Sequence, residues 1–450
     1  MEETCVNILK TGIEFDKCCG CQACVQACPK NALKMVANDD GFLFPMLDSN
    51  ACIDCKLCAK VCPINEQSLS KLAFNKADSA VASIHKDNQI AQESSSGGAF
   101  SAIAQAFCID EECVFFGAEL QEDFSVIHKK AEALAELSAF RKSKYVPSSI
   151  ENTYAQARNL LKENKRVLFS GTPCQIAGLK LFVGEKLCEN LFTVDFSCHG
   201  VGSPSIWKTY LANIEKRTGK KIKRFDFRAK SRSFSTYSSQ CSRTIFVDGT
   251  EMVRFKDPWF KAFVSALFKR SSCKDCPFSQ PCRVSDITIA DFWGIERISK
   301  NWDSGKGVSL MLLNTPKARA LYDNIAKVAN VEKFSFEECL KYNVPLREKV
   351  VPHPKAKQFK ELLKTEDFED ALLKILGKPT FLQRATELFL RLFPIRIQHK
   401  ITKATKSFTG SVKIILLKML PNSVASVVMS KWANLNGRKY INSQKRKNND

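Results

Sequence analysis

Two cysteine runs near the start of the chain restrict its fold more than any other feature. Cys18-x2-Cys21-x2-Cys24-x3-Cys28-Pro29 recurs 34 residues later as Cys52-x2-Cys55-x2-Cys58-x3-Cys62-Pro63. Disulfide geometry cannot pair thiols sensibly at such short spacings. The same spacings suit [4Fe–4S] cubes, because one loop wraps three corners and the fourth cysteine, opening the next helix, ligates the other cluster. One cluster is therefore assigned to Cys18, Cys21, Cys24 and Cys62, and the second to Cys52, Cys55, Cys58 and Cys28. Zinc also takes four thiolates, but its sites use paired CxxC units, not two complete runs each closed by Cys-Pro. Cys19 lies outside the pattern and is read as a neighbour.

A chain of 450 residues has room for two or three domains, and 44% apolar with 10% aromatic residues excludes general disorder. The opening MEETCVNILK has no basic region followed by an apolar run, and no stretch of 18 apolar residues occurs. Reduced cysteines without an export signal point to the cytoplasm. The fold class expected is α+β: a two-cluster module over 1–68, a mixed α/β domain over 80–350 and a basic helical tail over 360–450. NEQSLSKLAFNKADS reads as the linker. Strands are expected at Arg166–Ser170, Leu191–Phe196, Asp286–Ala290 and Val308–Leu313, and helices over 98–109, 151–163, 205–216 and 315–328. Asp248-Gly249, between two apolar runs, signals a hairpin.

Four segments of the larger domain stand out. Glu93-Ser-Ser-Ser-Gly-Gly-Ala-Phe-Ser puts small and hydroxyl residues before a helix, which suits a phosphate or, equally, a plain serine cap. Leu168-Phe-Ser-Gly-Thr-Pro-Cys-Gln-Ile-Ala-Gly-Leu runs from a strand into a helix, where α/β sheets place ligands. The others are Asp195-Phe-Ser-Cys-His-Gly-Val-Gly-Ser-Pro and Ser272-Cys-Lys-Asp-Cys-Pro-Phe, the latter followed by Arg283 and SDITIADFWG. With SKYVPS and GVSLMLLNT these words run in order over about 94–315, and the chain resembles the beta-subunit family of coenzyme F420 hydrogenases and dehydrogenases. That family includes ferredoxin-linked reductases such as 7-hydroxymethyl chlorophyll a reductase, and the N-terminal runs match a bacterial two-cluster ferredoxin.

The resemblance implies an FAD-binding iron–sulfur oxidoreductase. Ser95, Ser96, Gly97 and Gly98 become candidates to contact the flavin, and Ser143, Lys144 and Tyr145 to line its pocket. A cationic Lys144 would stabilise negative charge on a reduced ring; a solvated lysine in a basic run is the plainer reading. Cys174, Cys198, Cys273 and Cys276 are candidate ligands of a third cluster, with Cys282 in reserve and zinc or buried thiols as alternatives. His199 is a candidate proton donor. Asp286 and Asp291 are read as caps of a strand or as groups orienting Arg283. An acidic carrier such as ferredoxin or flavodoxin is the expected partner, and the alternative to an enzyme is a non-catalytic electron-transfer subunit. No Ser-His-Asp set, Walker loop or GxGxxG occurs, so hydrolysis, nucleotide-driven chemistry and a Rossmann nicotinamide site lack support. From Leu376 to Asp450 fifteen Lys/Arg face two acids, a net of +13, so the other 375 residues carry only +8 of the total +21. A basic amphipathic tail reads as peripheral contact with the inner membrane face, or as a helix packed on the domain. Nucleic acid is not expected, since the basic residues mingle with aliphatic ones.

Overall fold

Continuous apolar runs fit strands covered on both faces, and alternating runs fit strands with one wet face. Both kinds occur here. The computed structural model describes residues 15–109, 111–230, 241–302 and 307–378. Between the two cysteine runs lies an antiparallel hairpin, β1 (Leu33–Ala37) and β2 (Leu43–Leu47), with Leu33 opposite Leu47. Each run enters a short helix, Ala23–Gln26 or Leu57–Lys60, through a left-handed residue: Gln22 at φ 64 and Lys56 at φ 59. The sequence repeat is thus also a backbone repeat.

The larger part supplies β3 (Ser79–His85), β4 (Cys113–Leu120), β5 (Val126–Ala131), β6 (Arg166–Ser170) and β7 (Leu191–Phe196). It continues with β8 (Ile222–Asp226), β9 (Ser242–Phe246), β10 (Glu251–Arg254), β11 (Ile287–Asp291), β12 (Ser309–Leu313) and β13 (Ala329–Ser335). Eight strands make the main sheet in the order β13-β3-β12-β11-β7-β6-β4-β5. Its centre is parallel, β4 with β6, β6 with β7 and β7 with β11, and antiparallel strands flank it on both sides. β12, Ser-Leu-Met-Leu-Leu, is buried at all five positions. The edge strand β13 is buried only at Ala329.

β8, β9 and β10 form a separate antiparallel sheet, with Gly249 at φ +82 in the expected hairpin turn. The helix Pro204–Thr218 shares an aromatic core with it: Trp259 lies 4.5 Å from Phe268 and 4.9 Å from Trp207. At about 1.5–3 kcal/mol per buried large apolar side chain, this core is a major stabilising element. The helix Phe368–Leu376 adds Phe368, Ala371, Leu372 and Ile375 to it, and Arg217 holds Asp367 at 2.6 Å. This early part of the 360–450 segment is therefore packed. The rest of the expected basic tail, 379–450, lies outside the described residues. No helix among the described residues is long and apolar enough to cross a membrane.

The N-terminal module and the main sheet belong to one compact unit, Met1–Arg384. Gln22 Oε1 accepts from Ile150 N at 3.1 Å, and Gln26 Oε1 accepts from Ala155 N at 3.1 Å. At the far side the β1–β2 turn sits on the start of the helix Pro204–Thr218. Ser203 Oγ and Ser205 N donate to Asp40 O at 2.7 and 3.1 Å, and Lys360 Nζ reaches the Asp40 carboxylate at 2.5 Å. Gly41, at φ +77, has no room for a Cβ, which would stand 2.8 Å from Ser205 Oγ.

Candidate metal centre

The repeat brings its thiols to the walls of two adjoining cavities. One is lined by Cys24, Cys28, Cys52, Cys55 and Cys58. The other is lined by Cys18, Cys19, Cys21, Cys24, Cys58 and Cys62. Cys62 of the second run thus lines the cavity of Cys18 and Cys21, and Cys28 of the first lines that of Cys52 and Cys55, while Cys24 and Cys58 line both. The thiols line volumes rather than closing on a point: among the described residues no three His, Cys, Asp or Glu side chains are arranged to hold a single metal ion. No disulfide joins any of the nineteen described cysteines.

The chemistry of the donor set fits a cationic core. Burial pushes Cys24 up, and Cys18, Cys62 and Cys58 add to it. Burial likewise pushes Cys62 to about 11, with Cys18 and Cys58 contributing. Thiols that hold one another protonated become thiolates together only against positive charge, which the irons of a cube supply.

A second set of four thiols converges where the parallel strands end. β6 leads through Gly171 into the helix Pro173–Val183, whose Thr172 cap and Gln175 form a reciprocal capping box with Pro173 in the first position. This puts Cys174 at a helix N-terminus, but the Cys19 thiol beside it and burial push its thiol well above the ordinary range. Thr172 Oγ1 lies 3.2 Å from its Sγ. β7 leads to Cys198, and Cys273 and Cys276 come from the turn Ser271–Asp275 and the residue after it. Burial pushes the Cys198 thiol up, followed by Cys273, Cys174 and Cys276. Burial takes Cys273 to about 12 and Cys276 to about 11, with Cys174 adding to both. Gly200, at φ +80, lets its loop lie on Cys273, whose Sγ would be 3.3 Å from an added Cβ.

Buried cations surround this set. Arg283 Nη2 pairs with Asp195 Oδ2 at 3.0 Å, and Arg283 Nη1 donates to Phe278 O at 2.7 Å, tying the Cys276 loop to β7. Asp195 therefore takes the role expected of Asp286 or Asp291. Asp286 instead accepts from Thr193 N and Thr315 Oγ1, each at 2.8 Å, and Asp291 pairs with Arg228 at 2.6 Å. Burial lowers Lys269 to about 8, against the pull of Cys198 and Cys273.

The flavin candidates are partly gathered. Ser143 N donates to Ser95 Oγ at 2.8 Å, joining two distant words of the sequence. Ser96 Oγ is buried with no hydrogen-bond partner, while Ser96 O accepts from Lys230 Nζ at 2.5 Å. That orphaned hydroxyl beside a lysine fits a polar cofactor group. Gly97 has a different reason to be glycine: a Cβ would stand 2.1 Å from Ser83 O, so it serves the packing of the turn on β3. Gly98, at φ +91, opens the helix Ala99–Phe107. Tyr145 packs edge-on against Phe263 at 5.0 Å, and Phe263 also meets His199 at 6.5 Å. Burial, with Lys269 beside it, holds the His199 imidazole down at about 4. Lys144 departs most from expectation. Its Nζ donates to the carbonyls of Ala118, Ala139, Phe140 and Arg141 at 2.7 to 3.2 Å, which occupies an ammonium's three N–H groups in holding its own loop.

Residues 11–69 match a 4Fe-4S dicluster domain, and residues 164–338 match the C-terminal part of the beta chain of coenzyme F420 hydrogenase/dehydrogenase. Residues 164–338 are thus similar to the beta-subunit family of F420 hydrogenases and dehydrogenases, and residues 11–69 to dicluster ferredoxin-type domains. Among solved structures, a chain from the F420-reducing [NiFe] hydrogenase complex of Methanosarcina barkeri is similar at 14% identity and a TM-score of 0.38, covering 68% of this chain and 94% of that one. No curated protein matches. Within the 164–338 segment lie all four converging cysteines, Arg283 and the ends of β6, β7 and β11. The dicluster segment carries the eight cysteines of the repeat.

Sequence reasoning missed the residues that join the two segments. Gln22 and Gln26 sit inside the first cysteine run, where the ligands draw all attention. Cys19 touches Cys21 and Cys174 through its side chain, so it is a contact between the two sets and not a bystander. Arg270 is hidden in the basic stretch LFKRSSCKDC, where nothing sets it apart from its neighbours.

Proposed function

We propose that this chain is an iron–sulfur flavoprotein oxidoreductase with three [4Fe–4S] clusters and one FAD. Cys18, Cys21, Cys24 and Cys62 would hold the first cluster, Cys52, Cys55, Cys58 and Cys28 the second, and Cys174, Cys198, Cys273 and Cys276 the third. The observation that carries this reading is the convergence of the last four thiols at the ends of β6 and β7, next to Cys19 and the first cavity. Ser95, Ser96, Ser143 and Tyr145 would bind the flavin, supported by the joined Ser95–Ser143 turn and the unpartnered Ser96 hydroxyl. FAD, when bound, converts one-electron traffic into two-electron chemistry.

Around the second cluster's cavity Cys55 is exposed, Ile53 is 57% and Leu57 38% exposed, and Lys30 and Lys56 line the wall. Apolar contact ringed by lysines suits an acidic carrier of the ferredoxin or flavodoxin kind. The same surface favours the second reading, a non-catalytic subunit that feeds a partner enzyme. Anaerobic purification with iron, sulfide and flavin measured together tests the first reading. About twelve irons and one FAD per chain are expected; absence of flavin would overturn it. Oxidation of a small-molecule donor by the isolated chain separates the enzyme from the electron-transfer subunit.

A further inference from the structure

The joint between the N-terminal module and the third set of cysteines is built around one buried cation. Arg270 is 4% exposed. Its Nε donates to Cys18 O at 2.7 Å and its Nη2 to Leu43 O at 3.0 Å, while the guanidinium lies 4.0 Å from the Phe44 ring centroid. Gly20 makes room for it: an added Cβ would stand 3.0 Å from Nη1. The backbone of the same residue faces the other way. Arg270 O accepts from Cys273 N at 3.1 Å, and Arg270 N donates to Val201 O at 3.1 Å. One residue thus fixes the loops that carry Cys18 and Cys273. No carboxylate is among these partners, so the positive charge is left to act on what surrounds it.

We infer that Arg270 is a positioning residue for electron passage between the first and third clusters, setting both the alignment of their loops and the potentials of both. This rests on the three-cluster reading above. Each cube with four thiolates is an anion that gains a further negative charge on reduction, so a fixed cation between two of them favours the reduced form of each. Exchange of one electron between clusters held by these loops would make or break no bond and require no proton. Cys19, touching Cys21 on one side and Cys174 on the other, lies on the same short path. Arg270 makes none of these contacts with Cys28, Cys52, Cys55 or Cys58, so the second cluster's potential should respond least.

The test is an anaerobic redox titration of the full chain, followed by electron paramagnetic resonance, for wild type, Arg270→Gln and Arg270→Lys. In Arg270→Gln the first and third clusters should each become about tenfold harder to reduce, a fall of about 59 mV for a one-electron couple, with the second shifting least. Arg270→Lys should restore both potentials. Unchanged potentials in Arg270→Gln at full iron content would overturn the inference. If Arg270→Gln loses iron, Arg270→Lys decides: wild-type potentials support the role of the charge, whereas displaced potentials or loss of iron there overturn it. A wild-type chain with about eight irons fails the three-cluster reading itself, and iron analysis detects that before any variant is compared.

Discussion

Asp195→Asn should destabilise the fold far more than its small change in shape suggests. Both partners of the Asp195–Arg283 pair are sealed from solvent, with side chains 0% and 1% exposed. Arg283 also donates to Thr288 Oγ1 at 3.2 Å, Gln280 O at 3.3 Å and Phe196 O at 3.3 Å. Those partners are neutral, so Asp195 alone balances the charge within this set. Removing it leaves a guanidinium buried without compensation, which costs about 3–5 kcal/mol. For a cooperative unit of this size, Met1–Arg384, that corresponds to a fall in Tm of roughly 4–6 °C. Thermal unfolding by circular dichroism, on protein of matched iron content, measures it. Asp195→Val combined with Arg283→Met supplies the control, because an apolar pair of similar volume has no charge to strand and should unfold well above the single variant. A loss under about 1 kcal/mol for Asp195→Asn, the range of surface pairs, would refute the reasoning. So would a double variant no more stable than the single one.

Cys198→Ser should lower iron from about twelve to about eight per chain and leave the two N-terminal cluster signals in place; unchanged iron would remove Cys198 from the ligand set. Gly97→Ala, whose Cβ meets Ser83 O at 2.1 Å, should unfold at clearly lower temperature than Gly219→Ala, where φ is +67 but nothing lies within 4 Å. The second substitution carries only left-handed backbone strain of about 1–2 kcal/mol. His128 is buried against Ser170 O at 2.9 Å, and burial lowers it to about 4 from an ordinary 6.5. The unfolded chain therefore binds its proton first as pH falls. The contribution is fully present above pH 6.5, is lost from there down to about 4 and amounts to about 3 kcal/mol. His128→Gln should flatten that part of the stability profile in urea titrations across the window.

The part of the site that sequence displayed was the part built locally. Three proposed ligands of each N-terminal cluster come from one loop, so their spacing carries the geometry, and all eight cysteines of the repeat line the two cavities. β6 and β7 were legible with both ends because buried parallel strands are short unbroken apolar runs. The third set was visible only through family words, since its cysteines come from three loops up to 102 positions apart, from Cys174 to Cys276. Lys144 shows the converse: its place in a family word suggested a cofactor contact, whereas no local pattern announces the four backbone carbonyls around its Nζ or the burial that lowers it to about 7. Partners such as Arg270 with Cys18, 252 positions apart, are set by the tertiary fold.

The turn at Asp40-Gly41, pressed onto the helix Pro204–Thr218 and held by Lys360, has a kinetic consequence. Many redox proteins move a small carrier domain between donor and acceptor, so that solvent viscosity and tether length govern their turnover. A module pinned at this turn, and pinned again by Gln22 and Gln26 on the opposite side, has no such stroke. Charge exchanged between it and the main sheet would cross a fixed gap. Glycerol or sucrose should then slow only the meeting with an outside carrier, leaving the internal step untouched.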